Sequence, residues 1–196
     1  MGKIILASTS PRRIELLKKL NMDFKVLQPG VEEESFIRAP GQAPEDYAMD
    51  LALLKAESVL DKAEGDSLII GADTVVTISG KILGKPSDSH EARLMLESLQ
   101  GKCHEVITGL CVINAQDGRR AVSFERTAVR IRKLTDQEIT FYISTGESLD
   151  KAGAYGVQSM GALLVERIEG CYFNVVGLPI YRLSVMLREF GYDLLS

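Results

Sequence analysis

Apolar and polar positions change period several times along this chain, and each change marks an element. Ile4 to Ala7 is an unbroken apolar run, as expected of a strand buried on both faces, and it leads straight into the polar turn Ser8-Thr9-Ser10. Ser10 suits an N-cap and Pro11 the first helical position, so the pattern predicts a helix from Pro11 to Leu20 with Ile14, Leu17 and Leu20 facing inward. Phe24 to Leu27 reads as a second short strand, followed by an acidic loop from Gly30 to Ser35. Pro44 then opens a helix supported by the spacing of Ala48, Leu51, Ala52, Leu54 and Val59, with Lys55 along it and Gly65 placed to end it.

The run SLIIGADTVV predicts a buried strand that breaks at Gly71 to Thr74, and VVTISGKIL a hairpin turning at Ser79-Gly80. A helix is expected from Asp88 to Leu99, then two β-rich segments, Thr108 to Ile113 and Phe124 to Ile131, joined across AQDGRR. TAVRIRKL alternates apolar and basic residues, so one face of that strand is wet. Thr135 and Glu138 form a capping-box pair for the helix DQEITFYIST. ALLVERI reads as a further strand, NVVGLP as a strand-to-helix turn, and GLPIYRLSVMLREFG as a last amphipathic helix. The sum is a mixed α/β domain with hairpins, without the regular βαβ alternation of a doubly wound sheet.

Length and charge set bounds on this picture. At 196 residues the chain suits one domain spanning 1–196. A formal net charge of −4 supplies no general field for a nucleic-acid backbone, so any polyphosphate ligand must be held by a local site. No apolar run approaches the roughly 20 residues that span a bilayer. Cys103, Cys111 and Cys171 lack Cys-x-x-Cys spacing and read as reduced thiols, so a cytoplasmic location and no membrane partner are expected.

Arg12 and Arg13 stand where a helix N-terminus carries partial positive charge, an arrangement that costs roughly 0.3–1 kcal/mol per exposed charge. An anion between them reverses the sign. Helix N–H groups, arginine forks and the hydroxyls of Ser8 and Ser10 would make a phosphate cradle; the competing reading has both arginines solvated and paired with Glu15 or another surface acid. Asp73 follows an apolar strand, where ligands gather in α/β proteins; it could bind a metal, accept a proton from water or serve as an ordinary turn aspartate. Glu32, Glu33 and Glu34 suit a hard cation or a solvated acidic loop. Lys55 and Lys85 could each neutralise a phosphate or face water. In DKAGAYGVQ, small residues permit close approach to a flat ligand and Gln158 could read a base edge, or the glycines only shape a turn. His90 and His104 read as structural. There is no GxSxG elbow, no GxxxxGK[ST] loop and no GxGxxG after the first strand.

In order along the chain, LASTSPRRIELL, VEE, LLKAESV, GADTVV, GKP, LQGKCHEVITG, DKAGAYGVQ and NVVGLP closely resemble the Maf family of nucleoside triphosphate pyrophosphatases. The resemblance implies hydrolysis between the α and β phosphates to a monophosphate and pyrophosphate, with a divalent metal, Mg²⁺ or Mn²⁺. It assigns Ser8, Arg12, Arg13, Lys55 and Lys85 to the triphosphate, Asp73 as proton acceptor, and Glu32 with Asp73 to the metal, with Glu33 as a one-residue alternative. SPRR, the threonine of GADT and the glutamine of YGVQ resemble the branch acting on dTTP and UTP rather than 7-methyl-GTP, giving specificity to Arg13, Thr74 and Gln158. It further implies a central mixed sheet flanked by helices, two lobes around a cleft, similar to the inosine-triphosphate pyrophosphatase fold, and a homodimer. The family's link to arrest of septum formation supports an alternative role as a nucleotide-sensing regulator of cell division acting through a partner.

Overall fold

A computed structural model describes residues 3–31, 36 and 38–195. Its strands are β1 (Ile4–Ala7), β2 (Phe24–Leu27), β3 (Leu68–Ile78), β4 (Lys81–Leu83), β5 (Cys103–Asn114), β6 (Arg120–Ile131) and β7 (Val165–Glu169). Its α-helices are α1 (Pro11–Lys19), α2 (Pro44–Glu57), α3 (Ser89–Leu99), α4 (Asp136–Ser144), α5 (Tyr172–Val176) and α6 (Ile180–Glu189). The strands form one sheet in the order β2-β1-β3-β5-β6-β7, with β4 paired to β3. Pairing is parallel between β1 and both β2 and β3, and antiparallel for β3 with β4 and β6 with β7, so the sheet is mixed as the hairpins suggested. Among the described residues no helix is long and apolar enough to cross a membrane.

The chain forms two compact units, the first gathering the chain up to Asp73 with Thr108–Glu125 and the chain from Gly177 onward. Its core includes Ile5, Ala7, Ala52, Ala56, Val59, Ile69, Cys111 and Ile113. Ala48, Ala52 and Ala56, four residues apart on α2, are fully buried and form a stripe of small side chains. Opposite them stand two glycines: a Cβ on Gly71 would lie 2.1 Å from the Ala52 carbonyl oxygen, and one on Gly109 2.2 Å from that of Ala48. The missing side chains let α2 lie directly on the sheet.

The expected break at Gly71 to Thr74 is therefore absent. β3 is continuous over 11 residues, because Gly71 leaves room for a helix rather than interrupting the strand, and it stays in register with Ala7 of β1. Gly71→Ala should lower stability by about 3 kcal/mol, since backbone must move to admit the methyl group. Gly84→Ala, with nothing within 4 Å of its added Cβ, is the control and should cost well under 1 kcal/mol. Urea unfolding of the two variants checks the contrast.

The second unit comprises Thr74–Ile107 and Arg126–Val176. Its core joins Leu96 and Leu99 of α3, Ile139 and Tyr142 of α4, Val106, Val129 and Ile131 of the sheet, and Tyr155. The predicted hairpin between β3 and β4 turns at Ser79 (φ 51°) and Gly80 (φ 76°), and the capping box of α4 forms between Thr135 and Glu138. Arg132 and the Thr135 N–H hold the Glu138 carboxylate down at a pKa of about 2.

Other elements depart from expectation. The inward face of α1 is Arg13, Leu16 and Leu17, a rotation that carries a guanidinium inside, with Ile14 and Leu20 only half-buried. α2 ends at Glu57 and a 3-10 turn, Leu60–Lys62, fills the stretch before Gly65. Only the latter part of ALLVERI is strand, since Ser159–Leu163 coils as a 3-10 helix. In NVVGLP the turn follows a helix, α5, rather than a strand. Buried Asn174 fixes α5 by donating from Nδ2 to the Val106 carbonyl and the Thr127 hydroxyl, each at 2.9 Å.

Candidate functional site

Parallel pairing of Ala7 with Gly71 makes the turn that starts at Ser8 leave the sheet beside the Gly71–Asp73 stretch. The first unit thus collects Ser8, Arg12, Arg13, Lys55 and Asp73. Ser8 is buried, and its Oγ accepts the Ser10 N–H at 3.2 Å and Arg13 Nη1 at 3.4 Å. Ser10 is the N-cap of α1 but makes no side-chain cap bond.

Arg13 is 8% exposed and donates from Nε to the Gly177 carbonyl at 2.8 Å. The reading of two solvated arginines therefore fails for Arg13, while Arg12 is half-buried. A guanidinium held at Nε and Nη1 has its plane fixed before any ligand arrives. The contact of Gly177 (φ 119°) with Arg13 was hidden in the sequence, because NVVGLP signalled only a turn. The glycine itself was the one available signal, and nothing in the sequence tied its carbonyl to Arg13.

Lys55 and Asp73 form a buried ion pair, Nζ to Oδ1 at 2.5 Å, with the residues 4% and 7% exposed. The Ala–Gly packing of α2 on β3 sets this meeting, since Lys55 sits between Ala52 and Ala56 on the helix. Two charges withdrawn from water support each other, and breaking a buried pair costs about 3–5 kcal/mol. The option of a simply solvated Lys55 is thereby overturned.

The second unit carries Thr74, Lys85 and Gln158. Thr74 and Gln158 are half-buried and Lys85 is exposed. The Gly153 N–H donates to the Gly84 carbonyl at 3.0 Å, and Gly153 rests on the Val76 side chain. These contacts stitch the segment leading to Gln158 onto the chain flanking Lys85 and Thr74.

Glu32 and Glu33 lie outside the described residues. Among the described residues no group of three or more His, Cys, Asp and Glu side chains is placed to hold a metal. Asp73 offers a hard carboxylate oxygen of the kind Mg²⁺ and Mn²⁺ prefer, so the donor chemistry fits a divalent cation with Asp73 as one ligand.

The histidines differ as their positions on a surface helix and a strand suggested: His90 is exposed on α3, and His104 is buried on β5. His104 Nε2 lies 2.6 Å from the Tyr155 hydroxyl with the rings edge-to-face, and burial depresses its pKa to about 4. The unfolded chain takes up a proton near pH 6.5 that the folded chain refuses until about pH 4, so stability from this group is present above pH 6.5 and falls as the pH drops. Between pH 7 and pH 5 the loss should be about 2 kcal/mol. Urea unfolding at both pH values should show that much less acid sensitivity in His104→Phe than in wild type.

A family model described as "Maf-like protein" matches residues 3–190. A dTTP/UTP pyrophosphatase of Caldicellulosiruptor saccharolyticus is 50% identical over 100% of this chain and 98% of its own length. A dTTP/UTP pyrophosphatase of Thermoanaerobacter sp. is 52% identical over 98% of this chain and 100% of its own length. Among solved structures, a nucleoside-triphosphatase/dITP/XTP pyrophosphatase from Mycobacterium abscessus aligns over 97% of this chain and 98% of its own, with a TM-score of 0.41 and 14% identity.

Proposed function

We propose, from the premise that this chain belongs to the Maf-like family, that it hydrolyses dTTP and UTP to the nucleoside monophosphate and pyrophosphate. The observation that carries this reading is its agreement, along the whole chain and at about half of all positions, with pyrophosphatases of that specificity. The geometry supplies roles for the side chains.

A triphosphate brings several negative charges into the site, and cleaving its anhydride calls chiefly for charge neutralisation and an aligned water. Arg13, pre-set by Gly177 and Ser8, presents its guanidinium to phosphate oxygens, with Arg12 next to it in the chain. Lys85 adds an exposed point charge. Lys55 has a double part: in the empty protein it neutralises Asp73, and with substrate bound its ammonium turns to phosphate and releases the carboxylate to take a proton from water. A divalent metal held by Asp73 with Glu32 would neutralise phosphate charge when bound. Thr74, Gln158 and Arg13 select the pyrimidine nucleotide.

Product identity tests the reaction class. Incubation with dTTP and Mg²⁺ should give dTMP and pyrophosphate in equal amounts. Formation of dTDP and orthophosphate would overturn the assignment.

A further inference from the structure

The segment containing Gln158 is held in a shape its sequence does not favour. Gly153 (φ 70°), Ala154 (φ 60°) and Ser159 (φ 53°) all occupy the left-handed region, which is unfavourable for alanine and serine. Between them Tyr155 lies at φ −145° and ψ 160° and Gln158 at φ −105° and ψ 166°, with a bend at Val157 and Gln158. Such conformations persist only where the surroundings over-determine them.

Here the surroundings do. The Gly156 N–H donates to the Tyr142 hydroxyl at 3.2 Å, and the Met160 and Gly161 N–H groups donate to the Glu147 carboxylate at 3.3 and 3.4 Å. At the other end Tyr155 is 5% exposed, its hydroxyl 2.6 Å from His104 Nε2 on β5. His104 itself is 3% exposed, and its Nδ1 has no hydrogen-bond partner among the described residues. A phenylalanine would fill this place without leaving a buried polar atom unmatched. What the imidazole adds over a hydrocarbon ring is one directional bond, and that bond ends three residues from Gln158.

We propose that His104 and Tyr155 are positioning residues for Gln158: their buried bond fixes the segment from which the amide reaches the base, and so sets discrimination among nucleoside triphosphates. The inference rests on the reading of Gln158 as the base-contacting residue. Neither ring touches phosphate or water in this account. Their removal should therefore act on substrate choice and KM rather than on kcat.

Tyr155→Phe removes the hydroxyl alone, and His104→Phe removes the bond from its other end. Steady-state kinetics with UTP, dTTP and CTP, with Gln158→Ala as reference, should show KM for UTP and dTTP raised about 5- to 10-fold in each variant, with kcat within about twofold. The preference for UTP over CTP should fall in the direction set by Gln158→Ala, and the double variant should be no worse than either single one. Unchanged KM and preference in Tyr155→Phe, alongside an altered Gln158→Ala, would overturn the positioning role and leave the base contact standing. A silent Gln158→Ala would remove the base contact, and the positioning role with it. A fall in kcat equal for every nucleotide, with KM and preference unchanged, would also count against it.

Discussion

Asp73→Asn should lower kcat for dTTP by about 10³-fold, within the range of an essential general base, while nucleotide affinity stays within a few-fold of wild type. The substitution keeps the shape of the side chain and removes its ability to accept a proton from water. It also removes the charge 2.5 Å from the buried Lys55 ammonium, so the empty variant should be less stable by about 3 kcal/mol. With affinity nearly unchanged, dTTP at a fixed concentration should raise the melting temperatures of Asp73→Asn and wild type by similar amounts, so the difference between them in the empty state persists. Single-turnover kinetics and thermal shift with and without dTTP read both effects. Full turnover in the variant would remove Asp73 from the proton-transfer role.

Arg13→Ala is expected to reduce kcat/KM for dTTP by about 10²- to 10³-fold, the scale of losing a pre-organised charged donor at a phosphate. Arg13→Lys should recover little of it. A lysine can supply charge, but it cannot donate to the Gly177 carbonyl and Ser8 Oγ while also facing an anion with a fixed plane. Arg12, half-buried, should tolerate alanine better, with a loss of about tenfold. Steady-state kinetics of the three variants measures the order, and a lysine that restored wild-type kinetics would show that charge alone suffices.

Much of the frame was legible because local chemistry and tertiary packing agree there. Pro11, Pro44, the Thr135–Glu138 capping box and the Ser79-Gly80 turn all act within a few residues of themselves, and each element appears where its signal stands. Gly71 misled because a glycine in a strand has two meanings, and only the Ala52 carbonyl opposite it decides between a break and a close approach. The same limit applies to ALLVERI, whose apolar run carries no sign that Ser159 begins a 3-10 turn.

The structure gives several candidate residues a burial and partners that their places in the sequence do not show. For Arg13 the spacing left a phosphate cradle and a solvated surface cation both open, and the carbonyl that holds it comes from Gly177, 164 residues away. Lys55 and Asp73 are separated by 18 residues, and only the alanine stripe meeting Gly71 brings them together. His104 read as structural when taken singly, and Tyr155 carried no signal of its own. Their bond is what gives the pair a bearing on Gln158.

The account turns on whether this chain consumes pyrimidine nucleoside triphosphates, and initial rates of pyrophosphate release settle that directly. With Mg²⁺ present, dTTP and UTP should be hydrolysed with the highest kcat/KM in a panel that includes CTP, GTP and 7-methyl-GTP. Tight binding of dTTP or UTP without pyrophosphate release would contradict the account and favour a nucleotide-sensing protein instead.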